Sequence, residues 1–99
     1  MTNEEIKAWI KRRRLQMLIS SYLYEKQNFN VFSDYEWDLK AKELAKVQDE
    51  HPNLASQVEY ADMFKGWTGD SGAFLIFDDN TVRRANRVRY LMEKEGKKK

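Results

Sequence analysis

Three groups of residues in this chain have types and spacings with chemistry in them. Lys11-Arg12-Arg13-Arg14, and Arg83, Arg84, Arg87 and Arg89 with Lys97-Lys98-Lys99 behind them, can bind phosphate through charge and counterion release, or can be solvated helix faces and a tail. Gly66-Trp67-Thr68-Gly69-Asp70-Ser71-Gly72 has three glycines in seven residues and reads as a structured turn. It lacks the Lys-Ser/Thr ending and the strand-before, helix-after setting of a phosphate-binding loop. The only histidine, His51, stands beside the only proline, Pro52, with no nucleophile paired to it, which suits a helix-end cap better than a general base. With no cysteine, thiolate nucleophiles, disulfides and the common zinc frameworks are excluded. The carboxylates fall mostly on helix faces, where solvation and i, i+4 pairing are the default, so no catalytic constellation is expected.

Helices must carry these residues. Residues 3–27 contain neither Gly nor Pro and set Leu15, Leu18, Ile19 and Tyr22 at i, i+3, i+4, i+7, which predicts a long first helix. Asn28 and Asn30 suit a turn over 27–32, because their side chains hydrogen-bond nearby backbone. Ser33 with Glu36 three residues on reads as a capping box, and Asp34 adds a charge that favours a helix N-terminus. The second helix is expected to run to about Asp49, with Trp37, Ala41, Leu44 and Val47 facing the first in an antiparallel hairpin. His51-Pro52 ends it, since the residue before a proline is pushed out of the helical region. Residues 54–65 are weakly helical, and Phe74-Leu75-Ile76-Phe77 fits a short strand or a buried single turn equally well. Asn80 is expected to cap a last helix to about Glu95, with Val82, Ala85, Val88 and Met92 inward, Gly96 as its stop and a disordered tail at 97–99.

The expected fold is therefore one mainly α domain over residues 1–96: a helical hairpin closed by a C-terminal helix, with a Gly-rich turn and at most one short strand. Leu18, Tyr22, Trp37, Leu44 and Val88 are its expected core. At 99 residues the chain buries only about 60–65% of the surface its unfolded form exposes, so that core is small. Glu4, Glu5 and Lys7 interrupt the apolar residues near the start, which argues against a signal peptide or a bilayer span and for a soluble cytoplasmic protein. The net charge of +2 is unevenly placed, basic near both ends and more acidic in the middle.

From Tyr22 to Leu54 the chain reads Tyr22-x-Tyr24, a connector, Asp34-x-x-Trp37-Asp38, a helix, then His51-Pro52-x-Leu54. This ungapped pattern, over about a third of the chain, resembles the small N-terminal helical domain of bacterial NAD-dependent DNA ligases, which receives the nicotinamide mononucleotide (NMN) half of NAD. The resemblance implies that Tyr24 and Trp37 sandwich the nicotinamide ring, while Asp34 and Asp38 accept hydrogen bonds from ribose hydroxyls or the carboxamide. Aromatic faces and carboxylates suit a flat cationic ring in that way. Glu25 departs from the family, standing where a His usually meets the phosphate, and Trp37 replaces the usual Tyr. Read without the resemblance, Tyr22, Tyr24 and Trp37 pack the hairpin. No Lys-x-Asp-Gly occurs, the motif that supplies the nucleophilic lysine of ligase adenylation, so ligation by this chain alone is excluded. Beyond Leu54, the run from Phe64 to Gly72 is similar to a segment of stand-alone ligase-related small proteins of phages and prophages.

The leading expectation is a non-enzymatic phage-type accessory protein that binds and modulates a host replication, ligase or defence protein in the host cytoplasm. Its contact surface would be Trp67, Arg83, Arg84 and Arg87, since tryptophan and arginine most often dominate interface energy. In the packing alternative Trp67 lies under its own turn and the arginines pair with Asp78, Asp79 and Glu93. A weak NMN- or NAD-binding module using Tyr24, Glu25, Asp34, Trp37 and Asp38, and a non-specific nucleic-acid-binding protein, are the competing classes. No metal, required cofactor or membrane is expected.

Overall fold

In the computed structural model, which describes residues 1–70, 72 and 75–96, the chain forms α1 (Asn3–Gln27), α2 (Asp34–Glu50), α3 (Pro52–Ala55) and α4 (Asp79–Gly96), with no strand among the described residues. The first two helices begin at capping boxes. Thr2 Oγ1 accepts the Glu5 N–H at 3.1 Å while Glu5 Oε1 accepts the Thr2 N–H at 2.8 Å. Ser33 and Glu36 make the same pair of bonds at 3.1 and 3.0 Å. Each box satisfies two backbone donors that have no partner within the helix. α1 stops at Asn28, which takes the left-handed conformation (φ 51°) that asparagine tolerates, and the Phe29 N–H reaches back to the Leu23 carbonyl at 3.0 Å. α2 ends at His51 through its backbone N–H, 3.0 Å from the Val47 carbonyl. His51 is thus the end cap of α2, as expected, through its backbone, while its imidazole makes no cap bond to α3.

α1 and α2 form the expected hairpin, and α4 packs on α1. The core joins Ile6, Ile10, Met17 and Leu18 of α1 to Ala41 and Leu44 of α2 and, from the segment that follows, to Phe64, Trp67 and Leu75. The buried face of α1 runs through Ile10, Arg14, Met17 and Ser21, so it is turned away from the expected Leu15, Ile19 and Tyr22. Tyr22, Trp37 and Val88 are accordingly half-buried rather than core, whereas Leu18 and Leu44 are fully buried. Tyr22 stands edge-on to Phe77, centroids 5.4 Å apart. Met92 is exposed, and among the described residues of α4 only Thr81 and Ala85 are fully buried.

Arg14 lies in the core at 2% exposure. Its Nε donates to Gln48 Oε1 at 2.8 Å, its Nη1 to the carbonyls of Val58 and Glu59, and its Nη2 to that of Ala55, each at 3.0 Å. One guanidinium thereby ties the turn after α3 to both hairpin helices. Burial lowers its pKa to about 10, so it stays charged at neutral pH. Arg13 bonds Glu43 at 2.6 Å and Lys11 pairs with Glu59 at 3.2 Å. In the basic run 11–14, only Arg12 is left without an internal partner among the described residues.

The glycine-rich turn is pinned to α2. Gly69 has φ 80° and packs so closely that a Cβ there would stand 2.8 Å from the Ala41 carbonyl carbon and oxygen. Trp67 donates its indole N–H to the Ala41 carbonyl at 3.0 Å, and Lys42 pairs with Asp70 at 3.2 Å. Hydrogen bonds from Thr68 and from Lys42 hold the Asp70 carboxyl below its ordinary range. The Trp67 ring, edge-on to Trp37 at 6.2 Å and tilted on Phe64 at 5.0 Å, is only 4% exposed. The expected exposed Trp67 is thus corrected: its indole finds both apolar neighbours and an N–H acceptor under its own turn.

Residues 75–77 form no strand. The Leu75 N–H bonds the Gly72 carbonyl at 3.1 Å, Leu75 is buried, and Ile76 is exposed. Phe74, and the tail at 97–99, lie outside the described residues. The cap of α4 is Asp78, not Asn80: Asp78 Oδ1 accepts the Thr81 N–H at 2.8 Å and Oδ2 the Tyr60 hydroxyl at 3.2 Å. Asn80 falls inside the first turn, where it accepts from Arg83. At the far end of α1, Arg89 donates to Gln27 at 2.9 Å and lies 5.0 Å over the Phe29 ring, and Gln27 donates to Asn86 at 2.8 Å. No helix among the described residues is long and apolar enough to cross a membrane.

Candidate ligand-binding cleft

A cleft of about 440 Å³ opens where α1 ends and α2 begins. The residues Tyr24, Glu25, Asp34, Trp37 and Asp38, which the ligase resemblance singles out, all line it. Helical spacing explains the convergence: Ser21, Tyr24 and Glu25 stand at i, i+3, i+4 on α1, and Asp34, Trp37 and Asp38 do so on α2. The short connector turns the two triplets toward one space and adds Asn30, Val31 and Phe32. Tyr22, two residues from Tyr24, belongs to another face and lies against Phe77.

Tyr24 is 57% exposed, so its ring is open to a ligand. Trp37 is half-buried, its orientation fixed by the edge contact with Trp67. Gly72 also lines the cleft, and a Cβ there would stand 3.1 Å from Ser21 Oγ and 3.6 Å from Trp37 Cζ2. Gly72 stands two residues beyond Asp70, which pairs with Lys42 of α2. Among the described residues three carboxylates line the space and no lysine or arginine does. Lys40 sits outside the lining, its Nζ 5.0 Å over the Phe32 ring.

Aromatic faces can hold a flat cationic ring, and the carboxylates beside them can accept hydrogen bonds from the hydroxyls of an attached sugar. Among the described residues no three of His, Cys, Asp and Glu are grouped to hold a metal ion. Ser20, Ser21, Phe32 and Gly72 are lining residues beyond those the resemblance named. Ser21 had a signal, one helical turn before Tyr24 and Glu25; Gly72 had none, since only the folded chain brings it there. The proposed contact set does not come together as expected. Arg83, Arg84 and Arg87 are exposed on α4, while Trp67 is buried in its turn against α2. Among the described residues Arg84 and Arg87 make no ion pair, and it is Arg89 that pairs with Glu93, at 3.5 Å. A second cleft of about 390 Å³ borders Arg14, whose guanidinium already makes the four bonds described above.

No protein-family model, curated protein or solved structure matches this chain.

Proposed function

We propose that the chain is a non-enzymatic binding module whose cleft takes a nicotinamide-type ring with its ribose. The observation that supports this reading is the meeting of Tyr24, Glu25, Asp34, Trp37 and Asp38 around one space. NMN and NAD bind weakly, because Glu25 sets a carboxylate where the resemblance implies a phosphate. Calorimetry with NMN tests this in the natural chain and in Glu25→His and Asp38→Asn. The histidine variant strengthens binding, and the asparagine variant weakens it without lowering the melting temperature. Absence of binding in both the natural and Glu25→His chains removes the proposal.

A second reading, an accessory protein that binds a host replication, ligase or defence protein, is favoured by the surface of α4. There Arg83, Arg84 and Arg87 share the helix with Tyr90, Leu91 and Met92, all exposed. On this reading Arg84→Glu and Tyr90→Ala abolish capture of the partner at unchanged melting temperature; capture retained by both variants removes it. Binding to nucleic acid through the same arginines instead weakens steeply with salt and shows little sequence preference.

A further inference from the structure

Two features of the cleft go beyond its likeness to a nicotinamide site: the sign of its lining, and one buried hydroxyl without a partner. Among the described residues its walls hold Glu25, Asp34 and Asp38 and no cationic side chain. A phosphate entering among three carboxylates meets repulsion with no cationic side chain among the described lining residues to offset it, Lys40 standing outside the lining over Phe32, whereas an aromatic cation is attracted by the carboxylates and by the ring faces alike. Ser21 is 6% exposed, and its Oγ has no hydrogen-bond partner among the described residues. Its neighbour Ser20 bonds back to the Gln16 carbonyl at 2.7 Å, the usual resource of a helical serine. Ser21 instead faces the side of Gly72 on which a Cβ would stand, 3.1 Å away, and both residues line the cleft. An unpaired buried hydroxyl is destabilising, and because Ser21 Oγ is closed to solvent, a ligand group meets it only as the serine turns about χ1 toward the cleft, gaining a bond that the fold itself does not supply.

The geometry points to a phosphate-free aromatic cation as the ligand, an N-ribosylpyridinium nucleoside rather than a nucleotide, with a hydrogen-bonding group on the ring edge that reaches Ser21. This rests on the nicotinamide-type reading and narrows it.

Calorimetry on the full chain with nicotinamide riboside, NMN, 1-methylnicotinamide and 1-methylpyridinium tests it, together with Ser21→Ala. The riboside binds about tenfold or more tightly than NMN, a charge-repulsion effect of the size expected near a protein surface. 1-Methylnicotinamide outbinds 1-methylpyridinium by about three- to tenfold in the natural chain, one hydrogen bond's worth. That advantage vanishes in Ser21→Ala, whose melting temperature is unchanged or higher because an unpaired buried hydroxyl has gone. NMN binding as tightly as the riboside overturns phosphate exclusion while leaving the nicotinamide-type reading standing. A carboxamide advantage that survives in Ser21→Ala overturns the part given to Ser21. Failure of all four probes to bind overturns both readings together.

Discussion

Alanine at Gly66 and alanine at Gly69 will have unequal consequences, although both glycines have positive φ, 74° and 80°. At Gly66 a Cβ meets nothing within 4 Å, so Gly66→Ala carries only the left-handed backbone penalty, about 1–2 kcal/mol. At Gly69 the added carbon stands 2.8 Å from the Ala41 carbonyl carbon and oxygen and 2.9 Å from the Lys42 nitrogen. Those are helix backbone atoms, which cannot swing aside as the end of a side chain can. Overpacking of this kind adds about 1–3 kcal/mol, for a total of about 2–5 kcal/mol. The turn can escape the clash only by lifting from α2, which strains the bond from Trp67 to the Ala41 carbonyl. Urea unfolding followed by circular dichroism gives the two stabilities, and at about 4–8 °C per kcal/mol the melting temperatures will separate clearly. Gly69→Ala should also shift tryptophan emission to the red as Trp67 meets water, while Gly66→Ala should not. Equal losses at the two positions, or native emission in Gly69→Ala, would refute the idea that close approach to α2 is what requires glycine at 69.

Leu44, fully buried between the hairpin helices, should cost about 2–5 kcal/mol as Leu44→Ala, a large part of the total for a domain of this size, and denaturant titration measures it. Asp78→Ala should lose about 1 kcal/mol through the α4 cap, whereas Asn80→Ala should change stability by less than about 0.5 kcal/mol; thermal melts that rank them the other way restore Asn80 as the cap. Acid should destabilise the fold. The Glu5 and Glu36 carboxyls are held below their ordinary 4.5 by bonds from Thr2 and Ser33, and those of Asp70 and Asp78 below 3.8 chiefly by Thr68 and Thr81. Each lowered carboxyl contributes stability that is fully present above its ordinary value and lost as pH falls through its folded one, so melting temperature should drop below about pH 4.5 and be insensitive to these groups at pH 6–7. Alanine at Glu5 and Glu36 together should flatten that acid dependence, which melts from pH 2 to 7 will show.

Local rules reached the backbone because they act within a few residues. The absence of Gly and Pro over 3–27, the Ser33-x-x-Glu36 box and His51-Pro52 set the ends of α1 and α2 through bonds between near neighbours. The i, i+3, i+4 spacing of Asp34, Trp37 and Asp38 likewise put those side chains on one face wherever the helix went. What lies across the core depends on partners distant in sequence, and there pattern misleads. Arg14 in a run of four cations reads as solvated, yet it is buried because carbonyls 41 to 45 residues away converge on it. Trp67 reads as exposed on a polar turn, yet the Ala41 carbonyl, Phe64 and Trp37 receive it. Gly72 completes the cleft for the same reason, standing beside Ser21 and Trp37, which are distant from it in sequence. The sequence by itself determined the helices and which side chains share each helical face. Only the tertiary structure decided which faces meet, because burial, the pairing of buried polar groups and the open space of a cleft are properties of contacts between residues far apart in the chain.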